Sequence, residues 1–467
     1  MNREKLLIKS TLIISLGTLI PQLLNFITIP IVTDYLTKTE YGTYDLILTV
    51  VALLLPIATL QVQSGSFRFL IDARGDDEKS KTIVSNTLIF ITAVSMVVLV
   101  VFYFCIPDTT PLYRLLICIF LFWDTIYNCL GQIARGLSDN KGYALGSMAV
   151  SVIKTILIVV FVMVRRSGLF GILIAFVVAY FLADVVLAVK IKLHKYLSFK
   201  ALSFKELKKL LLYSWPLVPN NLSSWALRLS DRLVITHYLG VTANAVYAAA
   251  NNIPNIVNLA RSVFLMAWQE NASEAIKDED SEEYYSKMFR VTFALVSGIT
   301  AVLIGITPVL FRILIRGDYS EAYYQMPILF MGTFFGCTSA FQSGIYIAHK
   351  RTMAGGLSTM VAAIINLVID FALVNRVGIF AGSISTLVSY FLLFVYRIID
   401  IRRFQKIKYN YLSVVLYIVI LTFMSVICYE NITWMNIINA VVGFAFAACI
   451  NRDLIATMFK KFVLKRK

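Results

Sequence analysis

The stretch RSGLFGILIAFVVAYFL at 166–182 returns as RVGIFAGSISTLVSYFL at 376–392, with the Arg, Gly, Phe, Ile, Val, Tyr, Phe and Leu in register. An earlier pair agrees with it. Thr33-Asp34-Tyr35-Leu36, then Thr39 and Tyr44, is matched by Thr236-His237-Tyr238-Leu239, then Thr242 and Tyr247. Both pairs lie at nearly the same separation, so the chain is read as two copies of one unit.

Working outward, the 467 residues are 59% hydrophobic and only 15% charged, with a mean hydropathy of +0.77. A soluble chain of this length needs far more polar surface, so a polytopic membrane protein is expected. Fourteen largely uncharged segments of about 17 to 27 residues can be marked off. They lie near 10–33, 42–66, 83–106, 112–134, 144–164, 169–191, 211–236, 241–265, 289–311, 323–348, 353–375, 379–400, 411–428 and 433–450. The expected fold is all-α: about 14 transmembrane helices, with two six-helix repeats around a central cavity and two C-terminal helices added. Six is even, so both copies enter the membrane in the same direction. The expected divisions are an N-terminal lobe at 1–192, a basic linker at 193–210, a second lobe at 211–400, and spans 13 and 14 with a basic tail at 401–467.

An even span count puts both termini on one side. About 32 of the 43 Lys and Arg fall at the termini or in even-numbered loops, against about 7 in odd-numbered ones, so that side is read as cytoplasmic. The net charge of +16 is this orientation signal together with affinity for anionic headgroups, densest at Lys190, Lys192, Lys195, Lys200, Lys205, Lys208 and Lys209. It is not read as a nucleic-acid surface. The first apolar run is about twice the length of a signal-peptide core and lacks a small-residue exit, so it is kept as a span. Six cysteines without C-x-x-C spacing indicate neither a disulfide frame nor a zinc site, and are read as packing residues.

Span seven carries the most pointed chemistry. Asn221, Trp225, Arg228 and Arg232 recur at i, i+4, i+7 and i+11, one stripe of a helix. An intramembrane cation costs roughly 2.5 to 3.5 kcal/mol on insertion scales, so such a stripe should face a cavity or a partner. Two cations on one stripe suggest an anionic cargo. In the other copy Thr18, Gln22, Asn25 and Ile29 take these places, polar but neutral. Span eight adds Asn244, Asn251, Asn255 and Asn258 on one face with Arg261 at its edge, and Lys154 sits near the middle of span five. The plainer reading is that the asparagines are interhelical glue and that Arg232 pairs with its neighbour Asp231.

Five acids fall inside spans. Asp45 and Asp184 lie near span ends and are read as interfacial, whereas Asp124, heading a stripe with Asn128 and Gln132, and Asp370, one turn after Asn366, are candidate proton or sodium relays. Enzyme signals are weak. The chain has no G-x-x-x-x-G-K-[ST] loop, three histidines without H-E-x-x-H spacing, and outside loops too short for a catalytic domain.

The junction Tyr35-Leu36-Thr37-Lys38-Thr39-Glu40-Tyr41-Gly42 resembles the R-Y-L-G-P-x-E-Y-G junction of the polysaccharide transporter family. These are the Wzx-type O-antigen flippases of the multidrug/oligosaccharidyl-lipid/polysaccharide exporter superfamily. Trp215-Pro216-Leu217-Val218-Pro219, Ser230-Asp231-Arg232, Trp268-Gln269, and Asn366 through Gly378-Ile379-Phe380-Ala381-Gly382 to Tyr390 are similar to that family's second half. Departures are Asp34 where the family often has arginine, Glu270 where it often has proline, and Asp370 where asparagine is common.

The resemblance implies a transporter rather than an enzyme, in the bacterial cytoplasmic membrane. It would flip an undecaprenyl-diphosphate-linked oligosaccharide outward by alternating access, for O-antigen, capsule or a related glycan. No cofactor is implied beyond proton or sodium coupling. Membrane lipids, a polysaccharide polymerase and a chain-length regulator are the implied partners. The residues agree: guanidinium groups bind a diphosphate through paired hydrogen bonds while a prenyl tail stays in lipid. Arg228 and Arg232 would hold the diphosphate, with Arg261 and Lys154 adding charge, and Asn251, Asn255, Gln22, Asn25 and Trp225 would meet sugars. A lipid II flippase and a cation-coupled multidrug exporter of the same superfamily are the alternatives, with a membrane glycan ligase or polymerase beyond them.

Overall fold

The computed structural model describes residues 3–106, 109–258, 268, 272 and 281–456, with side chains from Gly17 onward. The described residues are helical, without strands. The principal helices are α1 (Arg3–Tyr35), α2 (Lys38–Thr59), α3 (Val62–Asp72), α4 (Asp77–Cys105), α5 (Pro111–Gly136), α6 (Asn140–Ile158), α7 (Gly168–Lys190), α8 (Phe204–Ser214), α9 (Leu217–Leu239), α10 (Val241–Asn252), α11 (Ser281–Leu314), α12 (Ser320–Ala348), α13 (Thr352–Val377), α14 (Phe380–Ile401), α15 (Tyr411–Glu430) and α16 (Thr433–Ile450). Eleven helices among the described residues are long and apolar enough to cross a membrane: α2, α4 to α7 and α11 to α16. The other three expected spans fall on α1, α9 and α10. The protein is a multi-pass membrane protein.

The repeated motifs have local physical causes. The glycine repeated in each copy sits at a positive φ, Gly168 at 55° and Gly378 at 62°, which a residue without Cβ adopts freely. In the first copy, the Thr37 hydroxyl accepts the Glu40 N–H while Glu40 Oε2 accepts the Thr37 N–H at 3.0 Å, a capping box that starts α2. Glu40 Oε1 also accepts the Leu169 N–H at 3.1 Å, so the junction after α1 holds the start of α7.

Two expected spans are broken. Span two divides into α2 and α3 because Leu60 and Gln61 turn left-handed, with φ of 44° and 57°. The apolar run predicts a continuous span eight over 241–265, but α10 ends at Asn252 and Ile253, Pro254 and Asn255 form a turn. Proline has no N–H to give a helix and its ring opposes the preceding turn. The four asparagines therefore do not share one helix face: Asn244 is fully buried, Asn251 half-buried and Asn255 exposed. The cysteine reading is also corrected in part, since Cys105 and Cys449 are exposed.

The chain forms two compact units, Met1–Trp225 and Ala226–Lys467, with the boundary inside α9. In the first unit, α1 packs on α6, α6 on α7, and α7 on α5, while α8 lies on α3 and α4. Its core includes Val62, Leu70, Ile83, Ile91, Leu130, Ile133 and Leu187. In the second, α12 and α13 both pack on α14, and α10 on α12. The last two helices lie on α11, and α15 also touches α12. Contact between α11 and α16 is close: a Cβ on Gly305 would lie 2.7 Å from the Ala440 Cα, and one on Gly443 would lie 2.6 Å from the Ala301 carbonyl oxygen. Small residues let the backbones meet where lipid offers no hydrophobic driving force between helices.

Candidate functional site

Within the first unit, α1 and α6 bring Asn25 and Lys154 together: the lysine Nζ donates to Asn25 Oδ1 at 3.0 Å and stands 5.1 Å from the centre of the Phe176 ring. Asp124 on α5 is buried in the same unit, with Oδ1 accepting from Asn128 Nδ2 at 3.0 Å. The Tyr180 hydroxyl also reaches its carboxyl, and the Lys154 charge acts on it. Tyr180 is set there by ring contacts with Phe120, Tyr127 and Phe176. Gln22 is half-buried, with its Oε1 free of hydrogen bonds. Trp225 is only 8% exposed and donates its indole N–H to the Thr49 carbonyl at 3.0 Å, so that group is taken. Asp184, read as interfacial, is in fact buried, and neither of its carboxylate oxygens has a hydrogen-bond partner. Its helix is packed on both α5 and α6.

Within the second unit, α9 presents Arg228 exposed and Arg232 half-buried. Four residues of helix separate them, a rise of about 6 Å. Asp231 between them points elsewhere. Only 1% exposed, it takes the Tyr247 hydroxyl at 2.6 Å and the Thr386 hydroxyl at 2.8 Å on Oδ2, while Oδ1 has no donor. The reading of Asp231 as the partner of Arg232 is thus corrected: one residue along a helix turns the side chain by about 100°, away from the basic face and into the packed side.

Asp370 on α13, also 1% exposed, lies against the Asp231 carboxyl with the Ser385 hydroxyl beside it, and its oxygens make no close hydrogen bond. Asn366, one turn earlier, accepts from the Ser230 hydroxyl at 3.2 Å and donates to Ser385 at 3.0 Å. The result is two buried carboxyls in contact inside a shell of hydroxyls and an amide.

Sequence reasoning missed the partners in this arrangement: Asp231 as a member of the pair, with Tyr247, Thr386 and Ser385. One signal was present, since Tyr247 is a repeated position and its counterpart Tyr44 has no acid at the place matching Asp231; Thr28 stands there and bonds the Asn25 carbonyl. Arg397 was also missed. It is 2% exposed and binds the Ser339 and Gly355 carbonyls and the hydroxyls of Ser343, Ser358 and Thr359, joining α12, α13 and α14. Of the remaining expected residues, Asn251 is half-buried and donates to the Tyr247 carbonyl at 2.9 Å, and Asn255 accepts from Asn258 at 2.9 Å. Arg261 lies outside the described residues.

Among curated proteins no match is found. Solved structures of membrane transporters share the fold. The lipid II flippase MurJ, in an inward closed conformation, aligns with a TM-score of 0.70 and 15% identity over 95% of this chain and 100% of that one. An inward-facing multidrug resistance MATE family transporter of the MOP superfamily aligns at 0.68 and 14%, over 83% and 98%. A MOP superfamily transporter from Pyrococcus furiosus, described as having a binding pocket of reversed polarity, aligns at 0.59 and 13%, over 84% and 95%. A model of the family described as "Polysaccharide biosynthesis protein" matches residues 7–269. With more than half of its length matched, the chain belongs to the polysaccharide biosynthesis protein family.

Proposed function

We propose that the protein is a flippase that carries an undecaprenyl-diphosphate-linked oligosaccharide from the cytoplasmic to the outer leaflet of a bacterial cytoplasmic membrane by alternating access. Its product would serve O-antigen, capsule or a related surface polysaccharide, and would pass to a polymerase and a chain-length regulator. Both termini lie in the cytoplasm on this reading. The observation that carries it is the pair Arg228, exposed, and Arg232, half-buried, on one face of α9, within a family concerned with polysaccharide. A cation held at mid-span against hydrocarbon is costly, so that side of α9 is assigned to water and to an anionic cargo. Guanidinium forks suit a diphosphate, and in the same unit Asn251 and Asn255 supply amides for sugars. Trp225 is left out of the sugar set because its N–H is taken.

The buried Asp231–Asp370 pair is the proposed coupling site. It would take up a proton or a sodium ion in one state and release it in the other, with Asp124 as the second candidate. A lipid II flippase is the second reading, favoured by the length over which the MurJ fold aligns; it needs the same diphosphate contacts and differs in the sugar. A multidrug exporter moving cations is disfavoured by two arginines on the cargo side.

Reconstituted vesicles loaded with a fluorescent undecaprenyl-diphosphate oligosaccharide, or with lipid II, test the proposal. Arg228→Gln with Arg232→Gln should cut flipping at least about tenfold while leaving abundance near normal, and Lys at either place should restore only part. Full flipping by the double Gln variant would remove the pair from the mechanism. Transport of lipid II in preference to the longer glycan would move the assignment to the second reading.

A further inference from the structure

The segment between the two copies does more than join them. Its backbone is held to α4: the Ser85 hydroxyl donates to the Tyr196 carbonyl at 2.8 Å and accepts the Ser198 N–H at 2.9 Å, and Asn86 Oδ1 accepts the Ser203 N–H at 3.2 Å. Leu210 of α8 is 1% exposed in the core that also holds Leu70 and Ile133. These anchors set a depth. Ser85 and Asn86 stand where α4 passes from its charged first turns, Asp77 to Lys81, into the apolar run that begins near residue 83. The segment therefore lies level with the boundary between headgroups and hydrocarbon, on the lysine-rich side.

Its outer side has two chemistries interleaved. Phe199 is 77% exposed, Phe204 82%, Leu212 68% and Trp215 61%. Between and beside them Lys195, Lys200, Lys205 and Lys208 are also exposed. From 190 to 209 there are seven lysines against one acid, Glu206, whose carboxylate is taken by Lys209 at 2.6 Å. Exposed aromatic side chains stand here interleaved with exposed lysines. They match a layer that is anionic at the surface and apolar a few ångströms below.

We infer that residues 196–215 are an interfacial anchor whose occupant is the anionic phospholipid of the cytoplasmic leaflet. The lysines take headgroup phosphates, and Phe199, Phe204 and Trp215 enter the acyl boundary beneath them. The chain runs from α8 through Trp215 and Pro216 straight into α9, so the anchor fixes the end of the helix that carries Arg228, Asp231 and Arg232. This inference does not depend on the identity of the cargo.

The full chain in nanodiscs tests it, with lipid the only partner present. In a variant whose six cysteines are alanine, an environment-sensitive dye placed through Phe204→Cys should shift to the blue when about a third of the phosphatidylcholine is replaced by phosphatidylglycerol. Lys200→Gln, Lys205→Gln and Lys208→Gln together should lower the phosphatidylglycerol retained in native mass spectra at least about threefold and abolish the dye shift. All three positions are exposed, so folding should survive, and an unchanged unfolding temperature checks this. Phe199→Ser with Phe204→Ser gives a second route, losing retained lipid without changing charge. Dye emission like that in water in both lipids, or retained lipid unchanged by the lysine and phenylalanine variants, overturns the inference. Displacement of the lipid by inorganic phosphate at equal concentration would also overturn it, because a bare anion site would then suffice.

Discussion

Replacing Asp370 by asparagine should make the protein more stable in the absence of ions and deaf to them. Among the described residues of the second unit, three buried carboxylate oxygens make no close hydrogen bond: Oδ1 of Asp231 and both oxygens of Asp370. An asparagine at 370 offers an N–H to Asp231, and a hydrogen bond to a charged acceptor is worth about 1.5 to 3 kcal/mol. It also removes one of two like charges from a buried place. The variant should therefore unfold about 1.5 to 3 kcal/mol harder than the parent in sodium-free buffer at high pH. The parent recovers the difference by binding. A cation present at 100 times its Kd adds about 2.7 kcal/mol to the state that binds it. Thermal unfolding in choline chloride against sodium chloride reads this effect, and flipping under imposed gradients reads the coupling. A variant less stable than the parent, with the ion response intact, would refute the reasoning and make Asp370 a structural carboxyl. A parent whose unfolding and flipping ignore both sodium and protons would end the coupling proposal altogether.

The seam between α11 and α16 should tolerate no side chain at Gly305. Leucine there must displace the Ala440 backbone, which lies 2.7 Å from the position of a Cβ; overpacking of this kind costs about 1 to 3 kcal/mol and should lower the unfolding temperature and abundance, and an unchanged unfolding temperature would contradict the packing. His349, at the end of α12, supplies a pH prediction. Burial foremost, opposed by the Gln405 hydrogen bond and aided by the Arg351 charge, holds its imidazole below the usual range. The unfolded chain then takes up the proton first as pH falls through about 6.5, so stability present at neutral pH is lost below that value. His349→Gln should flatten the stability profile between about pH 7 and 5, and an equally steep profile in the variant would show that another group sets it.

What could be read along the chain was whatever depends on neighbours in sequence. Apolar runs long enough to span, the bias of lysine and arginine between loops, and the repeat all report local composition, and a span needs no tertiary partner to be apolar. The T-x-x-E start of α2 belongs here, since a capping box closes within four residues. So do Arg228 and Arg232, because one helix turn places them side by side. The break at Leu60 and Gln61 was harder to read, for neither residue favours a left-handed conformation by itself. Pro254 was a legible signal for the end of α10, outweighed in the reading by the length of its apolar run.

The coupling pair belongs to the tertiary structure. Asp231 and Asp370 sit on α9 and α13, far apart in sequence, and each alone reads as a counter-ion or a relay. Only the packing of α9 and α14 beside α13 puts their carboxyls in contact under Tyr247 and Thr386. The same holds for Asp184, near a span end in sequence but buried in the structure, and for Trp225, which turns its N–H to Thr49. In a membrane protein most helices are apolar on nearly every side, so periodicity does not say which face meets protein and which meets lipid. Sequence by itself therefore determined that the chain is an all-helical membrane protein and where most of its long apolar helices lie. The tertiary structure decided which polar groups meet, because the partner of a buried group is chosen by the packing of distant helices.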